Sequence, residues 1–393
     1  MSKHLPLYQG ADLKAAQGQH YGLRFERFFD AYKGDYSDTD TKERKNWLNQ
    51  FCNKSIGNSQ ALQAKALQLR QLVESRSGEA RIYHCAGNFV TGLGNPHPLE
   101  NGFLWHPTLG TPYLPGSAVK GLVRSVIETA FQGDAEDRKA LLKRWFGTAE
   151  KGDVAEHSGS FIFMDALPVE TCRLHVEVMT PHMGKWYEKG GKNPLAADTQ
   201  PGDWHAPVPV TYLTTRDIKL QFAILPRPGA GDSATLQQEL QDLWQALDHG
   251  LKYLGAGAKT AIGFGIMLHE TEDAKLAESK LQKYKADELE KQKEQQRQAQ
   301  MQSLSPAMQE ITIIEGQWQA RYQKLRGKKE ALNGTIHNQA RALAKKAHES
   351  IEWSAEEKQA VARLIEEWIP KLVNNLNVKD MSKQLKLGTL KGS

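Results

Sequence analysis

Cysteine is scarce in this sequence. Cys52, Cys85 and Cys172 stand far apart and form no C-x-x-C pair. Neither a zinc knuckle nor a disulfide framework is indicated, and a reducing cytosol is the expected compartment. No apolar run is long enough to cross a bilayer, so a membrane is not an expected partner. The first residues, MSKHLPLYQGADLKAAQGQH, lack the apolar core of a signal peptide. A phosphate-loop signature is missing as well. In GAGAKTAIGFG (255–265), Ala258 rather than glycine precedes Lys259. That segment also reads as running from a helix into a strand, the reverse of a nucleotide-binding loop. No cofactor is called for.

What is present is an ordinary globular composition, with 39% hydrophobic and 25% charged residues over 393 positions. That length suggests two or three structural units. The net charge of +5 is unevenly spread: residues 275–393 carry 22 Lys and Arg against 15 Asp and Glu, so the rest is close to neutral. An anionic partner is compatible with this, although charge alone does not identify one.

Residues 1–80 read as an N-terminal helical segment, with Leu62, Leu69 and Leu72 on a rough helical stripe. Strands are expected at about 81–91, 158–166, 173–179, 218–225 and 261–269, and helices at 117–131 and 234–255. The order strand, helix, strands, helix, strand suits an α+β, ferredoxin-like (RRM-like) domain over 81–270, with an irregular insertion at 180–209. Such a fold presents a sheet face or its loops to a ligand. Residues 271–303 read as a polar helical linker. Residues 304–393 read as a C-terminal helical bundle and basic tail, with Ser305-Pro306 as a start signal and Ser354/Glu357 as a capping box.

Two glycine-bearing stretches stand out. In YLPGSAVKGLVRS (113–125), Gly116 and Ser117 open a helix, and Lys120 and Arg124 share one face a turn apart. Free N–H groups at 117–119 would favour an anion there. From spacing alone, a solvated face is the commoner outcome for such a pair. In the 255–265 stretch, Gly255 and Gly257 suit a helix C-cap and a tight turn. A run of backbone N–H groups with Gly257, Lys259 and Thr260 equally suits phosphate oxygens.

HPLENGFLWHPTLGTPYLPGSAVKGLVRS resembles the signature of the RAMP superfamily of CRISPR systems, in which a G-S-x-x-K-G-x-x-R helix start follows a Pro-rich loop. Gly116, Ser117, Lys120, Gly121 and Arg124 match it in place, and GAGAKTAIGFG resembles the glycine-rich loop late in the same fold. With FMDALP and the 180–209 insertion between them, the order over roughly 80–270 is most like the sixth-subunit family of Cmr (type III-B) effector complexes. The resemblance implies a non-catalytic, RNA-binding subunit of a ribonucleoprotein for antiviral RNA targeting. Such a subunit sits near the 3′ end of the guide RNA (crRNA), caps the backbone filament, and has guide and target RNA as partners. Other Cmr subunits would be its neighbours: a backbone RAMP, a small helical subunit and a head RAMP. RNA contacts are then expected from Gly116, Ser117, Lys120, Arg124, Gly257, Lys259 and Thr260.

The insertion adds His182, Lys185, Trp186 and Tyr187 to these candidates, with Lys189, Lys192, Trp204 and His205 nearby. Cations and rings interleaved on a projecting loop suit single-stranded RNA, and rings equally suit packing of the insertion on its own domain. In the resembled family a hairpin here acts as a thumb that disrupts guide–target pairing. The alternative function is a metal-dependent or acid–base endoribonuclease. His97, His106, His182 and His205 lie in loops, with Asp165, Glu177, Asp198 and Asp203 near them in sequence. None is spaced as a compact catalytic or metal-binding motif, so no catalytic residue and no metal ligand is assigned. Asp165 reads as a turn cap.

Overall fold

The computed structural model describes residues 20–33, 38–39, 41–148, 157–196, 199–202 and 204–392. Its elements begin with α1 (Tyr21–Arg27), α2 (Thr41–Asn49), α3 (Ser59–Glu74), β1 (Glu79–Phe89), α4 (Gly116–Ala130) and α5 (Ala135–Phe146). Short strands follow: β2 (Gly147–Thr148), β3 (His157–Ser158), β4 (Phe161–Phe163) and β5 (Leu167–Pro168). Then come β6 (Arg173–Met179), β7 (Val210–Pro226), α6 (Ser233–His249) and α7 (Glu272–Ser303). The last are α8 (Pro306–Leu325), α9 (Thr335–Glu349), α10 (Ala355–Leu372), α11 (Val378–Gln384) and α12 (Leu387–Lys391). The chain divides into two compact units between Ala286 and Asp287. Among the described residues, no helix is long and apolar enough to cross a membrane.

In the first unit everything is organised on β7. One edge of it pairs antiparallel with β1, from Glu79 opposite Ile224 to Phe89 opposite Thr215. The other edge is covered in turn by β6, β5 and β4, also antiparallel. On the far side of β1, Leu268 forms a single bridge with His84. The resulting order, final segment, β1, β7, then the β4–β6 edge, is that of a ferredoxin-like sheet. The fold is α+β.

The final strand expected at 261–269 is not formed. Thr260–Ile262 is instead a 3₁₀ turn and only Leu268 pairs. Gly263 and Gly265 both have positive φ, as does Lys259, and left-handed residues break the extended repeat a strand needs.

β7 is buried on both faces. Leu220, Phe222 and Ile224 join a core with Val119 and Val123 of α4 and Leu243 and Trp244 of α6. On the opposite face, Ala223 and Leu225 pack with Leu69 and Val73 of α3. The first turns of α7 close the same side, where Ala277 and Leu281 meet Ala66, Leu67 and Ile82. The sheet face is therefore covered, and loops and helix ends are what the domain offers to a ligand. Polar side chains on this inner face have distant partners: Gln221 donates to the Ala66 carbonyl at 2.8 Å, and Arg70 pairs with Glu278.

The N-terminal helices belong to the same core. Phe25, Phe29, Trp47 and Phe51 pack with His97, Phe103 and Trp105, which orders the long Gly- and Pro-rich loop after β1. In the second unit, Trp318, Ala340, Leu343, Val361, Ile365 and Leu387 are among the residues that build a separate helical core. Ser305 caps α8 ahead of Pro306, and Ser354 with Glu357 forms a reciprocal capping box on α10.

Candidate nucleic-acid interface

The start of α4 is largely satisfied from within. The Gly116 N–H donates to Asp165 Oδ1 at 2.7 Å, and the Ala118 and Val119 N–H groups both donate to the Pro115 carbonyl. The expected run of free amides at 117–119 thus shrinks to that of Ser117, and a carboxylate already sits at the helix mouth. Asp165 caps this helix rather than its own turn. A Cβ at Gly116 would collide with the Phe163 carbonyl oxygen, so glycine is required here for backbone packing.

Lys120 does not point freely to solvent. Its Nζ donates to the Phe146 carbonyl at 2.8 Å, closing the C-terminus of α5. Burial, and secondarily Arg124 and Arg227, hold its ammonium below the usual lysine range. Arg124 is exposed and pairs with Glu128 one turn on, at 2.8 Å. Gly121 has open space around it.

The glycine loop is built differently. Gly255, Gly257, Gly263 and Gly265 all have positive φ. A Cβ at Gly257 would collide with the Val90 carbonyl, and one at Gly265 with the Ala256 carbonyl. These close approaches let the loop fold back on β1: Ala258 N–H donates to Val90 O, Gly265 N–H to Asn88 O, and Ala256 N–H to Gly265 O. Four amides are left over. Among the described residues, the N–H groups of Gly257, Lys259, Thr260 and Ala261 have no acceptor within the chain. Lys259 is left-handed (φ 63°) and the 3₁₀ turn follows directly, a succession that gathers backbone amides into an anion-binding concavity.

The Lys259 side chain leaves the loop toward β6 and β7. Its Nζ lies 3.2 Å from Met179 Sδ and 5.8 Å from the Tyr212 ring centroid, and no carboxylate pairs with it among the described residues. Met179 ends β6 and Tyr212 lies near the start of β7, so the ammonium stands at the root of the 180–209 insertion. On the other side, an open groove of about 660 Å³ runs between the loop and α4, with Ala118, Leu122 and Ser125 facing Tyr253, Gly257 and Thr260. At 100° per residue, the Ser117–Lys120–Arg124 face lies roughly 130° round the helix from that groove. The structure therefore joins the glycine loop to the insertion and to one flank of α4, while Lys120 and Arg124 emerge on the other flank.

Within the insertion, the described residues form a single π-helical turn, Trp186–Gly190, and no strand. It is carried at the tip of the β6–β7 hairpin, and Val208 N–H closes its base on the Pro181 carbonyl. Trp186 packs over Gly190, which has no room for a side chain beneath the ring. Lys185 is exposed, as are Tyr187 (76%) and Trp204 (70%). The His182 Nδ1 is buried without a partner.

Against this geometry, comparison with known proteins is informative. Residues 83–267 match the RAMP superfamily. The chain is similar to a curated protein of Pyrococcus furiosus, the CRISPR system Cmr subunit Cmr6, with 26% identity over 227 residues. That match covers 45% of this chain and 63% of the relative's length. Among solved structures, it resembles a chain of the type III-B Cmr-β complex bound to cognate target RNA, at 16% identity and TM-score 0.43. That likeness covers 58% of this chain and 72% of the other. It also resembles the crystal structure of Cmr6 from Pyrococcus furiosus, at 22% identity and TM-score 0.28, over 49% and 98% of the two chains.

The first unit scatters the residues considered for catalysis. His97 donates from Nε2 to the Phe25 carbonyl and stacks on the Phe25 ring, and burial lowers its pKa. His106 accepts from the Leu109 N–H through Nδ1, and burial lowers it too. Glu177 pairs with Arg216, and His205 bonds the Gln200 carbonyl. Asp198 and Asp203 lie outside the described residues.

Among the described residues, one histidine–carboxylate group does converge, and sequence spacing held no sign of it: His84, Asp217 and Asp273. His84 Nε2 is 2.5 Å from Asp217 Oδ1, while Asp273 approaches the opposite ring nitrogen at 3.7 Å. Lys219 Nζ lies 2.9 Å from the same Asp217 oxygen and supplies the positive charge a metal would bring. This is an ion-pair network that fastens β1, β7 and the start of α7.

Proposed function

We propose that this chain is a non-catalytic RNA-binding subunit of a type III-B CRISPR ribonucleoprotein, holding the guide RNA by its backbone near the 3′ end. Guide and target RNA and the other Cmr subunits are its partners in this reading. The observation that carries it is the glycine loop: four amides without an acceptor, gathered beside a lysine without a carboxylate. Groups of that kind bind phosphate oxygens, which carry no base identity, so binding is tolerant of sequence. Thr260 lines the adjoining groove and offers its hydroxyl to the same strand. Arg124, exposed on the other flank of α4, offers a further charge to the backbone away from the helix mouth. Lys185, Tyr187 and Trp204 of the insertion offer charge and stacking to bases displaced there. The RAMP family and the Cmr6 relative support the assignment to such a complex.

The test is the affinity of the full chain for a labelled single-stranded RNA as salt is varied. Wild type should lose affinity steeply between ~50 and ~200 mM salt. Lys259→Ala with Thr260→Ala should bind every sequence more weakly by about tenfold, as expected for one charged contact and its neighbour. Equal affinity in a folded double variant would refute the site. The same preparation should leave RNA uncut with or without divalent metal.

A further inference from the structure

The second unit has one end of unusual charge. Residues 321–330 (RYQKLRGKKE) and 367–374 (EWIPKLVN) contain six cations and two carboxylates. They are held side by side: Glu330 N–H donates to the Leu372 carbonyl, and Asn374 N–H to the Glu330 carbonyl. Helix C-termini attract cations for structural reasons, and part of this charge is so used. Lys329 Nζ donates to the Pro370 carbonyl at 2.8 Å, Arg321 pairs with Glu330, and Lys371 with Glu367. Lys324, Arg326 and Lys328 are different. All three are exposed, Lys324 in the last turn of α8 and Arg326 and Lys328 just after it, and among the described residues none has an ion pair or a side-chain hydrogen bond.

Arg326 is the most telling. It occupies the left-handed C-cap of α8 (φ 46°), a position that glycine or asparagine takes with less strain, and Gly327 follows it (φ 86°). A long cation is kept where the backbone prefers none. Four residues earlier on α8, the half-exposed Tyr322 ring meets Trp368 edge-on at 6.0 Å, and Lys371 stands 4.7 Å over the indole. Unpaired cations and an accessible ring at the end of one helix suit a single-stranded polynucleotide, phosphates on the former and a base on the latter.

We infer that this end of the C-terminal unit, centred on Lys324, Arg326 and Lys328, is a second RNA-backbone contact, separate from the glycine loop. The inference rests on the chain being an RNA binder. Its test uses the full chain and a fluorescein-labelled single-stranded RNA of mixed sequence. Replacing Lys324, Arg326 and Lys328 together by Gln should lower affinity about tenfold or more. It should also make the salt dependence shallower by about two in slope, near 0.7 for each single-strand phosphate that is no longer neutralised. Arg326→Gly alone should raise the thermal midpoint, by relaxing the turn, while weakening RNA binding. Unchanged affinity and slope in the triple variant, with wild type binding RNA, overturns the inference and leaves the glycine-loop site standing. Loss of a co-purifying protein subunit without loss of RNA affinity also overturns it, and assigns the patch to an acidic protein partner. A wild-type chain that does not bind RNA removes the parent reading, and this one with it.

Discussion

The mouth of α4 and the loop at 255–265 look alike on paper, each with glycine, a hydroxyl residue and a lysine within a few positions, yet they fold to opposite ends. At α4, Asp165 takes the first amide, Pro115 takes two more, and Lys120 is committed to the carbonyl of Phe146. At the loop, the glycines draw the chain so tightly onto Asn88 and Val90 that four neighbouring amides are left without partners, with Lys259 beside them. One site spends its polar groups on the fold and the other keeps them for something outside it. These amides lie on exposed or half-buried residues that water reaches, so a ligand's oxygens could replace that water at little cost.

The most damaging way to probe this contrast is to deny the loop its geometry. Gly265→Ala puts a Cβ into the Ala256 carbonyl at a left-handed position, and should cost at least about 2 kcal/mol and abolish RNA binding together. Gly116→Ala, which drives a Cβ into the Phe163 carbonyl, should destabilise similarly while leaving affinity per folded molecule nearly intact. Urea titrations paired with RNA binding read both quantities. Equal loss of affinity in the two variants would erase the distinction. Next in size is the Lys259/Thr260 double substitution, expected to weaken RNA about tenfold with little change in stability. Lys120→Met inverts that pattern. It removes the cap on α5 and should cost about 1 kcal/mol, with RNA affinity changed less than about threefold.

Why one half of this contrast was readable in the sequence and the other was not follows from range. Ser305-Pro306 and the Ser354/Glu357 box are local, and they cap α8 and α10 as expected. The partners of Lys120 and Gly116 lie 26 and 49 residues away, and no spacing rule reaches them. The sheet misleads for the same reason. Within IKLQFAIL, Lys219 is buried against Asp217 and Glu170, and Gln221 reaches the Ala66 carbonyl. A sheet that seemed available to RNA is therefore sealed by α3 and α7. AIGFGIMLH had strand composition, but Gly265 is left-handed where it closes on Ala256 and bonds Asn88 of β1, a constraint only the folded chain imposes. In the insertion, charge and aromatic content were legible, whereas the division of labour between Trp186, packed on Gly190, and the exposed Tyr187 was not.

Asp165→Asn should give the smallest effect and make the finest distinction. Asparagine keeps a side-chain oxygen for the Gly116 N–H and removes only the negative charge from the helix mouth. If the mouth is a structural cap, stability should move by less than about 0.5 kcal/mol, since Asn and Asp cap almost equally, and RNA affinity should stay within about twofold. If instead a phosphate sits there in the bound state, the native carboxylate repels it at close range. Its removal should then tighten RNA several-fold, with the gain shrinking as salt screens the charge. A tightening of about fivefold or more at ~50 mM salt, gone by ~500 mM, would show that the α4 mouth and the glycine loop grip the same strand, and the contrast drawn between them would have to be given up.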